Sequence, residues 1–259
     1  VDISSEDLCM CPNDLLKKIN KNTKVVIYTQ MNGRVGQIDQ IKKICKKNNL
    51  ILIEDAAHAI GSYNKNIHVG NAGLAGSFSF SMPKLITMGQ GGAIVTNNNK
   101  LANQLRLYKN FGRKKSGEDR HDYMGYNFKI TDMQSMLALG QLKSVKSRIK
   151  KKKEIFARYK SKLKNNLKIK FFDIKKNETP WSVDIYLNDV KKLKKKLEEK
   201  KIFTRYVYPP LNSQKIYKHF KNLPVSDFYC KRGLWLPSSI DIANKDIDKI
   251  CKLINKYIN

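Results

Sequence analysis

The sequence predicts an α/β fold in which a large domain with a mostly parallel sheet is followed by a smaller α+β domain. In the first half, apolar runs of strand length alternate with a segment of helical periodicity. In the second half, the strands become shorter and are separated by a Lys/Glu-rich helix and a closing helix. We place the boundary at residue 150, so that 1–150 form the large domain and 151–259 form a connecting helix and the small domain.

The first elements form a strand–helix–strand unit. "TKVVIYTQ" (23–30) is an apolar, β-branched run, and "QIDQIKKICKKNN" carries Ile38, Ile41 and Ile44 at helical spacing. "LILIED" (50–55) is a continuous apolar run, which is typical of a strand buried on both faces of a parallel sheet. Strand, helix and strand together predict a βαβ unit.

The remaining elements follow from the same criteria. "AGSFSFS" (75–81) and "GGAIVTN" (91–97) predict two further strands of the large domain. Helices are predicted over 100–111 and 131–163, with a polar loop between them. The small domain is predicted to contain strands at 179–187 and 205–211 and helices at 189–200 and 243–257.

Composition limits the functional classes. The 51 basic against 22 acidic residues give a net charge of +29, which admits a protein that binds nucleic acid or another polyanion. The excess is mostly Lys, spread along the chain, and its densest run, "RIKKKKE" (148–154), lies in a predicted helix without aromatic residues. This pattern favours solvated lysines over nucleic-acid binding.

The five cysteines show no paired spacing of a zinc or disulfide framework, which favours a reducing compartment. There is no apolar run of membrane-spanning length and no signal-peptide pattern at the start, so we expect a cytoplasmic protein. The chain begins at Val1 in "VDISSEDL", and we expect a further segment upstream.

One lysine stands apart from all the others. Between Lys65 and Lys100, Lys84 is the only formally charged residue, and it lies in the apolar stretch "FSMPKLI". Partial desolvation would lower the pKa of its amine and make the amine a nucleophile toward carbonyl groups. Asp55 follows a predicted strand, where its carboxylate would either cap a helix starting at "DAAHA" or face the same crevice as Lys84.

An amine nucleophile, a carboxylate at a strand end, a strand rich in hydroxyl groups and a glycine cluster are the groups that pyridoxal phosphate (PLP) chemistry requires. The block "IEDAAHAIGSYNKNIHVGNAGLAGSFSFSMPKLITMGQGGAIVTNNN" resembles the central block of the DegT/DnrJ/EryC1/StrS family of PLP-dependent sugar aminotransferases. "GYNFKITDMQSMLALGQLK" (125–143) and "TRYVYPPLNSQKIYKHF" (204–220) match the family in order and spacing. The resemblance covers essentially the whole chain and implies PLP-dependent transferase fold type I, the aspartate aminotransferase-like fold.

The resemblance also implies roles for individual residues. Lys84 would form the internal aldimine and would move the proton between Cα and C4′. Asp55 would hold the pyridine nitrogen of the cofactor, and Ser79 would contact its phosphate. His58 stands where the family usually has Gln beside the ring and its 3′-oxygen, and its imidazole could alter the electronics of the cofactor.

Two further assignments concern other parts of the chain. Asn127 in "GYN" matches an asparagine that family members offer to the phosphate in the neighbouring subunit, which implies a homodimer with shared active sites. Arg205 and Tyr208 lie in a segment that is similar to the family's small-domain loop near the substrate. Residues 1–50 contain neither the Gly-Thr phosphate-binding turn nor the ring-stacking aromatic of the family's N-terminal segment.

The resulting hypothesis is a PLP-dependent aminotransferase. It would take an amino group from an amino acid, L-glutamate in the first instance, and transfer it to a nucleotide-linked keto-sugar. Within the family the alternative is a sugar dehydratase, which has His in place of the lysine, so Lys84 argues against it. Outside the enzymes, the alternatives are a truncated, non-catalytic relative and a basic polyanion-binding protein.

Overall fold

A four-stranded sheet organises the first half of the chain. The computed structural model describes residues 1–115, 117–217 and 223–258. The sheet consists of β1 (Val25–Thr29), β2 (Ile51–Asp55), β5 (Ala75–Ser79) and β6 (Gly92–Val95), in the order β1-β2-β5-β6. The first three strands are parallel and β6 is antiparallel to β5. The predicted mostly parallel sheet is therefore confirmed.

The βαβ unit forms because helix α2 (Ile38–Lys47) buries its apolar side against this sheet. Ile38, Ile41 and Cys45 are buried, in accordance with their helical spacing. The sequence predicts a β2 strand that is buried on both faces, but one face of β1 and β2 is not covered. The side chains exposed on that face are Val25, Ile27 and Ile51.

The long helical stretch predicted over 131–163 is in fact two helices. α3 (Asn99–Lys109) precedes them, and α4 (Asp132–Leu142) begins with a capping box in which the Thr131 and Gln134 side chains bond each other's backbone N–H groups. The chain then breaks at residues 143–144, and α5 (Val145–Leu163) continues into the second half. The predicted boundary at residue 150 lies within α5 and stays a prediction.

The second half contains an antiparallel sheet covered by helices. Its strands are β7 (Val183–Tyr186), β8 (Arg205–Tyr206) and β9 (Gly233–Leu236), in the order β7-β9-β8. The shared core joins this sheet to α5, α6 (Val190–Glu198) and α8 (Asn244–Ile258) through buried side chains that include Ile155, Leu193, Leu234 and Ile250. The strands at 179–187 and 205–211 are thus shorter than predicted.

The shorter elements complete the description. They are α1 (Pro12–Lys18), the hairpin of β3 (Tyr63–Asn64) and β4 (Ile67–His68), α7 (Pro224–Cys230), and 3₁₀ turns at Met31–Gly33, Leu211–Ser213 and Lys215–Tyr217. Residues 218–220 of the predicted substrate-loop motif lie outside the described residues. None of the helices in the described ranges is long and apolar enough to cross a membrane.

A buried ion pair joins the two halves of the chain. Arg34, just after the first 3₁₀ turn, donates to both carboxylate oxygens of Asp184 on β7 at 3.0 and 2.8 Å, and both side chains are 1% exposed. Asn32 donates to the same carboxylate at 2.8 Å, and the Tyr186 hydroxyl donates to it at 3.0 Å. Because the charges are paired and hydrogen-bonded, β7 is held against the turn that follows β1.

Candidate active site

The carboxyl ends of the parallel strands bring two of the predicted site residues to one edge of the sheet. Asp55 ends β2 and lies in register with Ser77 of β5, and Ser79 follows two residues later on the same strand. Asp55 does not start a helix. Its Oδ1 accepts a hydrogen bond from Ala57 N at 3.1 Å, and the chain turns at this point, which corrects the helix-cap alternative.

The residue before Asp55 fixes this strand end from the other side. Glu54 is fully buried and accepts hydrogen bonds from the Gln30 side chain and from the backbone N–H groups of Gly70, Ala72 and Gly73. Because successive side chains of a strand point to opposite faces, Glu54 ties down the loop after β4 while Asp55 remains free to face the site. The sequence reasoning did not single out Glu54.

Lys84 lies in the loop that follows β5, at the same edge. Its N–H donates to Ser81 O at 3.1 Å, and its half-buried side chain places Nζ 4.9 Å from the centre of the Trp181 ring. Burial lowers the pKa of Lys84, and the negative charge of Asp55 partly offsets that shift. The structure thus brings Lys84 and Asp55 together, and burial raises the fraction of neutral, nucleophilic amine above that of an exposed lysine.

His58 lies beside Lys84 and Trp181, and these three residues together with Asp55 form the Lys84 cluster. Its ring stacks on the Trp181 indole with 4.0 Å between the ring centres and 9° between the planes. Burial, with a contribution from the positive charge of Lys84, lowers the pKa of His58 to about 3, so the imidazole is neutral at physiological pH. Its Nδ1 is buried and has no hydrogen-bond partner within the described residues.

The two predicted substrate residues approach this cluster from the second half of the chain. The Tyr208 ring lies 6.2 Å from the His58 ring and packs edge-on against Trp235 at 4.8 Å. The guanidinium of Arg205 lies 5.4 Å from the centre of the Tyr208 ring and 5.6 Å from that of Trp235. Tyr208 therefore reaches the cluster directly, whereas Arg205 reaches it through Tyr208.

Ser79 and Asn127 differ in their surroundings. The Ser79 Oγ lies 3.0 Å from the Ser81 Oγ and accepts from Ser81 N at 3.3 Å, so two hydroxyl groups converge beyond the strand end. Asn127 is exposed and belongs to another region, where it forms a β-bridge with Asn110 and accepts from Lys129 Nζ at 2.6 Å. Asn127 is thus exposed to solvent, and these contacts are with Asn110 and Lys129 rather than with the Lys84 cluster.

Trp181 is the site residue that the sequence reasoning missed. Its Nε1 donates to Pro83 O at 2.8 Å, which places the indole beside the Lys84 loop. Asn32 holds the Trp181 segment from the other side, since Asn32 O accepts from Trp181 N at 3.3 Å and Asn32 Oδ1 accepts from Ser182 N at 2.7 Å. Because these partners are about 100 and 150 residues away in sequence, no local pattern around "TPWSV" predicts the placement.

Two cavities meet at Lys84. One, of about 10 Å³, lies between Lys84, His58 and Trp181 and is the size of one water molecule. The other, of about 440 Å³, opens on the far side of Lys84 toward α5 and the 238–241 loop. A larger cavity of about 700 Å³ lies in the second half of the chain, and Lys84 does not line it.

Comparison with known proteins identifies the family. The family model described as the DegT/DnrJ/EryC1/StrS aminotransferase family matches residues 1–255. The chain belongs to the DegT/DnrJ/EryC1/StrS aminotransferase family. A GDP-perosamine synthase of Escherichia coli O157:H7 is 31% identical over 261 residues, which cover 99% of this chain and 72% of the relative.

Solved structures of the DegT/DnrJ/EryC1/StrS family share the fold. An aminotransferase from Brucella abortus has a TM-score of 0.92 and 27% identity, with 100% of this chain and 73% of that chain covered. PseC of Helicobacter pylori, an aminotransferase involved in the biosynthesis of pseudoaminic acid, has a TM-score of 0.94 and 25% identity, with 99% and 72% covered. The predicted family and the predicted fold type I are therefore confirmed.

Proposed function

We propose that this protein is a PLP-dependent aminotransferase that moves an amino group from an amino acid, L-glutamate in the first instance, to a nucleotide-linked keto-sugar. One observation carries the proposal: a partly desolvated amine, Lys84, stands beside the carboxylate of Asp55 at the carboxyl edge of a parallel sheet. The similarity to a GDP-perosamine synthase and to an aminotransferase of pseudoaminic acid biosynthesis supports this substrate class.

The side chains at this edge fit PLP. The buried His58 Nδ1 has no partner among the described residues, and a phenolic oxygen would supply one. Asp55 offers a carboxylate for a protonated ring nitrogen, and the converging hydroxyls of Ser79 and Ser81 offer donors for a phosphate. Lys84 supplies the amine that PLP needs for covalent attachment. When bound, PLP withdraws the electrons that are released as the Cα–H bond of the amino acid breaks.

The residues of the chain then divide the work. The lowered pKa of Lys84 leaves a larger fraction of neutral amine. Lys84 would therefore accept the proton from Cα of the amino acid and deliver it to C4′ of the cofactor. The Asp55 carboxylate would accept a hydrogen bond from the protonated ring nitrogen of the cofactor. His58 is neutral because burial lowers its pKa, and Trp181 covers one face of its ring, so the imidazole would hold an oxygen of the cofactor by a hydrogen bond without adding a second positive charge.

We also propose a second copy of the chain as a structural partner. Asn127 is exposed, so its side chain is accessible to a phosphate bound in the other copy. Arg205 and Tyr208 approach the cluster from β8 and the loop after it, and in this proposal they contact the substrate. The free cysteines agree with a reaction in the cytoplasm.

A covalent trapping experiment tests the proposal. The protein is incubated with PLP, reduced with borohydride and digested, and the modified peptide is identified by mass spectrometry. We expect the label on Lys84, together with a near-visible absorbance band that Lys84→Ala abolishes. The exposed Lys100 provides the matched control, and Lys100→Ala should leave both band and label intact. Lack of the label at Lys84, or an unchanged band in Lys84→Ala, would reject the proposal.

The alternatives give different results in the same assay. A sugar dehydratase would convert the keto-sugar nucleotide without an amino acid, whereas the proposed enzyme needs L-glutamate and forms 2-oxoglutarate. A truncated, non-catalytic relative would show neither the label nor turnover. A polyanion-binding protein would instead bind DNA with a steep dependence on salt.

A further inference from the structure

The cavity of about 440 Å³ beside Lys84 carries basic side chains that the roles described above do not use. Arg148 and Lys152 lie one turn apart on α5 and line it, together with the hydroxyl-bearing Ser182 and Ser238. Its other charged lining residues are Lys84 and the exposed Asp241, so three basic groups face one acidic group. The wall between α5 and the 238–241 loop is therefore a concentration of positive charge.

These two basic groups are half-buried and lack a counter-ion. Within the described ranges, no carboxylate forms an ion pair with either Arg148 or Lys152. Lys152 Nζ donates to Ser238 O at 2.8 Å, and Arg148 donates to Ser144 Oγ at 2.9 Å and to Leu85 O at 3.3 Å. Burial without a compensating charge lowers the pKa of Lys152 to about 8.

Neutral acceptors do not use up the donors of these side chains. An ammonium group has three N–H donors and a guanidinium has five, so both can still donate to a further group. The Ser182 and Ser238 hydroxyls lie 3.2 Å apart at the same wall, and because one donates to the other, the second still offers an O–H donor without charge. An uncompensated, partly buried cation is costly, and an anion in the cavity would remove that cost.

We infer that this cavity is the anion subsite of the enzyme, in which Arg148 and Lys152 bind a carboxylate or phosphate group of a substrate whose reacting carbon lies at Lys84. The inference rests on the proposed function, since Lys84 lines the same cavity. The anion comes either from the carboxylates of the amino-acid donor or from the diphosphate of the sugar nucleotide. Arg148 has a second role, because its bond to Leu85 O ties α5 to the loop that carries Lys84.

Trp181 lines the cavity and reports on it, so binding is measurable without any turnover. In a Trp235→Phe background, Trp181 is the single tryptophan, and its fluorescence is recorded while sodium sulfate or L-glutamate is added to the full chain. Sodium chloride at matched ionic strength corrects for screening of the +29 net charge. We expect a saturable response to at least one of the two anions.

Variants of the cavity wall decide the assignment. Lys152→Met and Arg148→Met should each lower the affinity for the anion by about tenfold or more, as expected for the loss of a charged hydrogen bond. The exposed Lys150 on the same helix is the matched control, and Lys150→Met should bind as the parent does. Thermal unfolding followed by circular dichroism checks that each variant is folded. If only one of the two cavity variants folds, that variant alone is enough for the binding test.

The outcomes separate the two sources and the two claims. Tighter sulfate binding assigns the subsite to the sugar nucleotide, and tighter L-glutamate binding assigns it to the amine donor. Absence of a saturable response in the parent, or equal affinities in the parent and the folded cavity variants, overturns the inference. If anions bind as expected but no PLP label forms on Lys84, the proposed function fails while the anion site stands.

Discussion

Trp181 and His58 stack face to face with 4.0 Å between their ring centres, although they lie on opposite sides of the junction between the two halves of the chain. The indole covers the imidazole and also lies under the Lys84 ammonium. This contact connects the β7 side of the molecule to the strand end that carries Asp55. It also covers one face of the imidazole, whose burial keeps His58 neutral.

Removing the indole should raise the pKa of His58. In Trp181→Ala, water reaches the imidazole, so its pKa should rise by at least about one unit from about 3 toward the ordinary 6.5. Titration of the imidazole Cε1–H signal by NMR measures the shift, with His58→Gln identifying the signal. Trp181→Phe keeps an aromatic cover and should shift the pKa less. An unchanged pKa in Trp181→Ala would show that the indole does not desolvate the ring.

Lys84 should react with acylating reagents at a lower pH than exposed lysines do, because burial lowers its pKa. Asp55 raises that pKa, since a nearby negative charge stabilises the ammonium form, so Asp55→Asn should move the labelling profile of Lys84 to still lower pH. Mass spectrometry of the labelled peptide across a pH series provides the profile. Asp39→Asn, which removes an exposed carboxylate, is the control. A shift to higher pH in Asp55→Asn would contradict the electrostatic coupling.

The buried ion pair between Arg34 and Asp184 should contribute strongly to the free energy of unfolding. Arg34→Met leaves the Asp184 carboxylate buried without its cation, and we expect a loss of about 3–5 kcal/mol in the free energy of unfolding. Urea denaturation measures it. Arg158→Met breaks a more exposed pair with Asp248 and should change the midpoint far less, because water screens that pair. Equal midpoints for the two variants would refute the special role of Arg34.

Gly33 should tolerate no side chain where Gly89 does. Both adopt positive φ, +84° and +82°, so alanine strains the backbone by about 1–2 kcal/mol at either position. At Gly33 the new Cβ would also lie 1.8 Å from Thr179 O, whereas at Gly89 it would meet open space. Gly33→Ala should therefore lose about 1–3 kcal/mol more than Gly89→Ala in thermal or urea unfolding. Similar losses in the two variants would show that the positive φ, and not the contact with Thr179 O, accounts for the destabilisation.

The local elements of the first half follow from the sequence because their signals are local. The β-branched run at 23–30 and the spacing of Ile38 and Ile41 indicate a strand and a helix without reference to the rest of the chain. The helix break at residues 143–144 was not predicted, since the sequence there, "LKSV", contains neither Gly nor Pro to mark it. The turn after Asp55 rules out one of the two alternatives for this residue, the helix start, because Ala57 N donates to the Asp55 side chain and the chain turns there.

The site also contains features that the sequence predicts and features that it does not. The proximity of Lys84 and Asp55 was predictable, because both follow neighbouring strands whose carboxyl ends share one sheet edge. The contacts of Trp181, the pairing of Arg34 with Asp184, and the cavity wall of Arg148 and Lys152 carry no such local signal.

By itself, the sequence determined the family and the βαβ unit and singled out Lys84 as a candidate, since short-range periodicity, fixed motif spacing and the lack of charged neighbours are local features. The tertiary structure alone decided which face of His58 is covered and where unpaired positive charge lines the cavity. The physical reason is that burial and charge compensation depend on side chains brought together from distant segments, and no short stretch of sequence specifies its partners across such separations.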